Sequence, residues 1–120
     1  MDRRLALGWT LAIAIGCSLP GNALPVSVWL SFDKVLHLLA FAGFGWLWLR
    51  AYPHAARAVL LSGLLFAVGT EVYQHLMPIG RFFDPIDALA DALGLLIGLG
   101  AARWHQRDTR PNARFSPPEA

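Results

Sequence analysis

The sequence predicts an all-α polytopic membrane protein: four transmembrane helices in a compact bundle, with both termini in the cytoplasm. Three observations lead there. Hydrophobic residues fill 56% of the 120 positions and charged residues only 15%, too little charge to cover a small water-soluble core. Apolar stretches recur at residues 5–19, 35–49, 58–77 and 86–102, and a spanning helix needs roughly 20 mostly apolar residues. The cations are unevenly shared. With the N-terminus inside, Arg3, Arg4, Arg50, Arg57, Arg103, Arg107, Arg110 and Arg114 are cytoplasmic, while Lys34 and Arg81 lie outside. This is a positive-inside asymmetry, so the basic balance reports topology and implies no nucleic-acid partner.

The first helix is short, because Pro20-Gly21 ends its apolar run. Its basic start and apolar core leave an alternative open, a signal segment cut near Gly21-Asn22-Ala23 or processed before Cys17. "PGNALPVSVWLSFD" is expected to form an outer loop, with Trp29 and Phe32 at the membrane interface. A second helix then starts near Asp33, "RAYPHAAR" turns in the cytoplasm, and a third helix runs to the outer loop "PIGRFF". The fourth opens at Asp84-Pro85. Residues 1–107 make one membrane domain, and 108–120 a Pro-rich tail expected to be disordered. The only cysteine, Cys17, cannot form an internal disulfide.

Acidic residues collect toward the outer ends of the helices: Asp33, Glu71, Asp84, Asp87 and Asp91. On the fourth helix, Asp84, Asp87, Asp91, Gly94 and Gly98 step by three and four and share one face. On the third, Gly63, Ala67, Glu71 and Gln74 do the same, and on the second, Asp33, His37 and Ala40. In lipid such stripes must face one another. At about 1.5 Å of rise per residue, Glu71 and Asp91 lie roughly 10 Å inside their helix ends. The expectation is an outward-open polar pocket floored by glycine and alanine.

Some of these residues have plain structural uses. Asp84-Pro85-x-Asp87 is a good helix start, and Asp33 is also expected to act as a capping or dipole-favoured acid. Gly63, Ala67, Gly94 and Gly98 suit close helix packing, His75 suits the interface, and Trp9, Phe44, Trp46 and Trp48 suit core or lipid. Glu71, Gln74 and Asp91 are beyond the reach of capping. A carboxylate in hydrocarbon costs at least ~2.5 kcal/mol and calls for a partner or a purpose.

"DKVLHLLAF" and "TEVYQHLMPIGRFFDPIDALADALGLLIG" resemble the VanZ-like family of small bacterial membrane proteins. The resemblance covers roughly Asp33 to Gly98. It carries Asp-Lys-x-x-His at the start of one helix, Glu-x-x-Gln near the end of the next, a loop arginine, and an acid before Gly-x-x-x-Gly. The matching positions are Asp33, Lys34, His37, Glu71, Gln74, Arg81, Asp87, Gly94 and Gly98, while Asp91 stands where the family usually has Asn. The resemblance implies residence in the bacterial cytoplasmic membrane. It also implies a theme, tolerance of the lipid-bearing glycopeptide teicoplanin, but no reaction.

The favoured reading is a binding module without a cofactor. Lys34, His37, Glu71, Gln74, Arg81, Asp87 and Asp91 would hold the headgroup of a membrane lipid or lipid-linked envelope precursor, with Arg81 on phosphate or carboxylate. An enzyme is the second reading: His37, Glu71, Asp87 and Asp91 are donors a divalent ion accepts, and a metal-bound water could hydrolyse or transfer a headgroup. The third is a scaffold, forming a homo-oligomer or docking a membrane-protein partner. Asp91→Asn separates the first two, since a hydrogen-bond network tolerates it and an anionic metal ligand does not.

Overall fold

The computed structural model describes residues 3–19, 26–78, 80 and 84–110. It contains four α-helices: α1 (Arg3–Cys17), α2 (Val26–Ala51), α3 (Ala56–Leu76) and α4 (Pro85–Asp108). Among the described residues there is no strand. Among the described residues, three segments are long and apolar enough to cross a membrane: Phe32–Ala51, Ala56–Leu76 and Pro85–Asp108. With 15 residues, α1 is about 22 Å long at 1.5 Å per residue, short of a hydrocarbon core of about 30 Å.

The helices alternate in direction. At one end, Gln74 Nε2 of α3 donates to the Cys17 carbonyl of α1 at 3.3 Å, and Lys34 of α2 reaches Asp84, which precedes α4. At the other end, Gln106 Nε2 of α4 donates to the Leu49 carbonyl of α2, and the His105 ring lies 5.6 Å from that of Trp46. The large apolar side chains on the surface include Leu11, Leu39, Leu65, Leu89 and Leu96, whereas Glu71 and Asp91 are almost completely buried. That distribution is the inverse of a water-soluble protein's and suits a lipid surround.

Glycine draws α2 and α4 together. A Cβ on Gly94 would fall on the Leu38 backbone, and one on Gly98 on the Ala42 carbonyl. From α2, a Cβ on Gly45 would meet the Leu95 carbonyl oxygen at 2.7 Å. The two backbones therefore touch directly, as small-residue spacing permits in membrane helices. On α3, a Cβ at Gly63 would strike the Leu95 side chain at 2.7 Å, so this glycine makes room for a core of Leu95, Leu99, Phe41, Phe44 and Ala67. Phe41, Phe44 and Phe66 pack ring on ring beside it. Trp9 fixes α1 against α2: its indole packs over Gly43 and donates to the Ala40 carbonyl at 2.8 Å.

Helix limits differ from expectation at two places. The outer loop expected through Asp33 is already helical from Val26, because Val26–Phe32 holds no glycine or proline to break it. Asp33 therefore lies about two turns inside α2, where it cannot cap that helix. At the other end, α4 continues through Asp108 and closes at Thr109, since "RWHQRD" holds no breaker and its basic side chains suit a helix C-terminus. Residues 111–120, most of the expected tail, lie outside the described residues.

Candidate functional site

The polar faces of α2, α3 and α4 meet at the end of the bundle that holds the α3–α4 connection. His37 is the hub, and it is buried. Its Nδ1 lies 2.6 Å from Asp91 Oδ1 and 3.9 Å from Glu71 Oε1, while its Nε2 faces Asp33 Oδ2 at 3.6 Å. Each partner arrives by helical spacing: Asp33 sits one turn before His37 on α2, Glu71 continues the Gly63–Ala67 face of α3, and Asp91 sits one turn before Gly94 on α4. The same close approach of backbones that brings Gly94 onto Leu38 sets Asp91 against His37.

A second group lies nearer the helix ends. Lys34 Nζ bridges Asp84 Oδ2 at 2.9 Å and Asp87 Oδ1 at 3.3 Å. Asp84 is the N-cap of α4: its backbone is extended, and its Oδ1 accepts from the Ile86 N–H at 2.9 Å. The Lys34 ammonium, aided by that N–H, holds the Asp84 carboxyl below the ordinary aspartate value, so it stays charged through neutral pH. Pro85 follows at the first helical position, where a missing N–H costs nothing.

Among the described residues, three buried oxygens in the cluster find no hydrogen-bond partner: Glu71 Oε1, Glu71 Oε2 and Asp91 Oδ2. Nearby donors are turned elsewhere, Gln74 to the Cys17 carbonyl and the Thr70 hydroxyl to the Ala67 carbonyl. Buried polar groups are normally satisfied, so the centre of this cluster has capacity that its own side chains do not use.

Beside the cluster, between α1 and α2, runs a cleft of about 270 Å³. Its walls are apolar, with Trp9, Ile13, Leu36 and Phe41 among them, and Asp33 and His37 stand at its polar side.

The VanZ/LLP1 family profile matches residues 5–106. The chain belongs to this family. No curated protein and no solved structure matches it. Family membership and three apolar helices of spanning length together mark a membrane protein.

In this VanZ/LLP1 chain the expected site residues Lys34, His37, Glu71, Asp87 and Asp91 converge, and Asp33 joins them at His37 and not at a helix end. Gln74 is buried but bonds to α1. Arg81, Phe82 and Phe83 lie outside the described residues, as does the Trp29 side chain. His75 is exposed. The expected open pocket is not what the described residues form: Glu71 and Asp91 are packed over, because the Gly94 and Gly98 contacts close α2 onto α4, and the cleft opens instead along α1. Sequence reasoning missed that contribution of α1. Gly43 and Gly45, flanking Phe44, were the available sign that two other helices approach α2 closely.

Proposed function

We propose that this VanZ/LLP1 protein is a binding module of the bacterial cytoplasmic membrane that receives the headgroup of a lipid or lipid-linked envelope precursor at the polar end of its bundle. The observation that carries this reading is the apolar α1–α2 cleft ending at Asp33 and His37. Such a cleft matches an amphipathic molecule, with an acyl chain along Ile13 and Phe41 and polar groups against the cluster. Hydroxyl, amide or amine groups suit His37 and the carboxylates as partners. Arg81, in the α3–α4 connection, supplies the planar fork that a phosphate prefers. An envelope precursor held this way would connect the chain to tolerance of lipid-bearing glycopeptides.

Native mass spectrometry of gently extracted protein tests the reading. One phospholipid or lipid-linked precursor per chain is expected, and Arg81→Lys should lower its occupancy several-fold without changing the amount of folded protein, since a point charge does not replace a bidentate fork. Lipid-free wild type, or equal occupancy in Arg81→Lys, contradicts it. The proposed orientation, with the cluster outside and both termini cytoplasmic, rests on the arginine distribution. A topology reporter inserted at Asn22 should read external and one after Arg107 cytoplasmic; an external reading after Arg107 reverses the sidedness.

A further inference from the structure

We propose that His37, Glu71 and Asp91 form a binding site for one divalent transition-metal cation of the zinc type, at the buried inner end of the polar cluster. The inference does not rest on the headgroup reading, because the cation would occupy the site with or without a lipid. His37 Nδ1, one Glu71 oxygen and one Asp91 oxygen lie within 4.8 Å of one another, and all three residues are buried. One imidazole and two carboxylates are a donor set for zinc or manganese, whereas calcium and magnesium take oxygen alone.

Geometry and charge both support the site. Donors at about 2.1 Å around a tetrahedral ion stand about 3.4 Å apart. The His37–Asp91 pair, at 2.6 Å, would have to open by less than an ångström, and the His37–Glu71 pair, at 3.9 Å, would have to close by about half of one. The cation would replace a proton between His37 and Asp91 and engage oxygens on Glu71 and on Asp91 that find no hydrogen-bond partner among the described residues. Two carboxylates and a neutral imidazole around a dication sum to zero charge, the condition that burial in lipid favours. His37 is also oriented as a ligand should be: its other ring nitrogen faces the Asp33 carboxylate at 3.6 Å, the carboxylate–histidine–metal arrangement that fixes tautomer and ring direction. Asp33, His37 and Asp87 form a second group of suitable donors, but the Lys34 ammonium already sits 3.3 Å from Asp87 and would repel a cation there.

The test uses the full chain in detergent, stripped with a chelator and titrated with Zn²⁺, Ca²⁺ and Mg²⁺, with bound metal counted by native mass spectrometry. One zinc per chain is expected, with calcium and magnesium at least tenfold weaker. Glu71→Gln should weaken zinc at least tenfold, and Asp33→Asn by about tenfold, the cost of losing an outer partner. His75→Gln, which removes an exposed histidine, should change nothing. Should Glu71→Gln fail to fold, Co²⁺ added to wild type decides: intense visible absorption is expected from a low-coordinate nitrogen and oxygen site. The proposal is overturned by a wild type that binds no zinc, by equal calcium binding, by unchanged zinc in a folded Glu71→Gln, by loss of zinc in His75→Gln, or by a Co²⁺ spectrum like that of the hydrated ion.

Discussion

Gly98→Ala is expected to destabilise the bundle by about 3 kcal/mol, the upper end of the usual cost of overpacking. The added methyl would land on the Ala42 carbonyl, and an obstructing backbone atom cannot rotate aside as a side chain can. Relief would require α2 and α4 to separate, which would also pull His37 from Asp91, so loss of stability and loss of ligand binding should appear together. Gly100→Ala is the matched control on the same helix: nothing lies within 4 Å of a Cβ there, and alanine's helix preference predicts a neutral or slightly stabilising change. Thermal melting of both variants in detergent checks the pair. Equal melting temperatures for the two would mean that the α2–α4 contact is looser than described.

Much of this contact was legible before any coordinates. Gly94 and Gly98 stand four residues apart on the acidic face of α4, and Gly63, Ala67 and Glu71 repeat that spacing on α3; in lipid, polar and small faces have nowhere to go but toward each other. The Asp84 cap was equally plain, because aspartate followed by proline at the first helical position is a local preference that needs no tertiary partner. The start of α2 was hidden by its neighbours. Pro20, Gly21 and Pro25 suggested a loop whose far edge nothing marked, and that misplaced boundary turned Asp33 into a cap when its carboxylate faces His37. The docking of α1 was illegible for another reason: a tryptophan on an apolar helix suits lipid, core or interface alike, and only coordinates show Trp9 packed over Gly43. Which donors would be turned away from Glu71 could not be read from spacing, since Gln74 shares its face yet bonds to α1.

The second large effect is expected at Glu71. Among the described residues neither of its buried carboxylate oxygens finds a hydrogen-bond partner, and the His37 ring nitrogen is 3.9 Å away, too far to bond. A glutamine keeps the shape, cannot ionise, and brings an amide donor to a cluster rich in acceptors, among them Asp91 Oδ2. One new buried hydrogen bond contributes about 1 kcal/mol, or roughly 4–8 °C in melting temperature for a domain of about 100 residues. The same substitution should abolish ligand binding, because a residue held in an unfavourable state for function stabilises the fold when relieved and costs activity. A purely structural ion knot would respond in the opposite way: removing one member of a buried charged network destabilises by about 3–5 kcal/mol.

The paired measurement of melting temperature and bound lipid on metal-free wild type and Glu71→Gln therefore tests most directly whether the buried cluster is a ligand site. A ligand site gives a Glu71→Gln protein that melts several degrees higher and carries no lipid. A protein that melts lower while retaining its lipid would show the cluster to be structural scaffolding and contradict its role as a binding site.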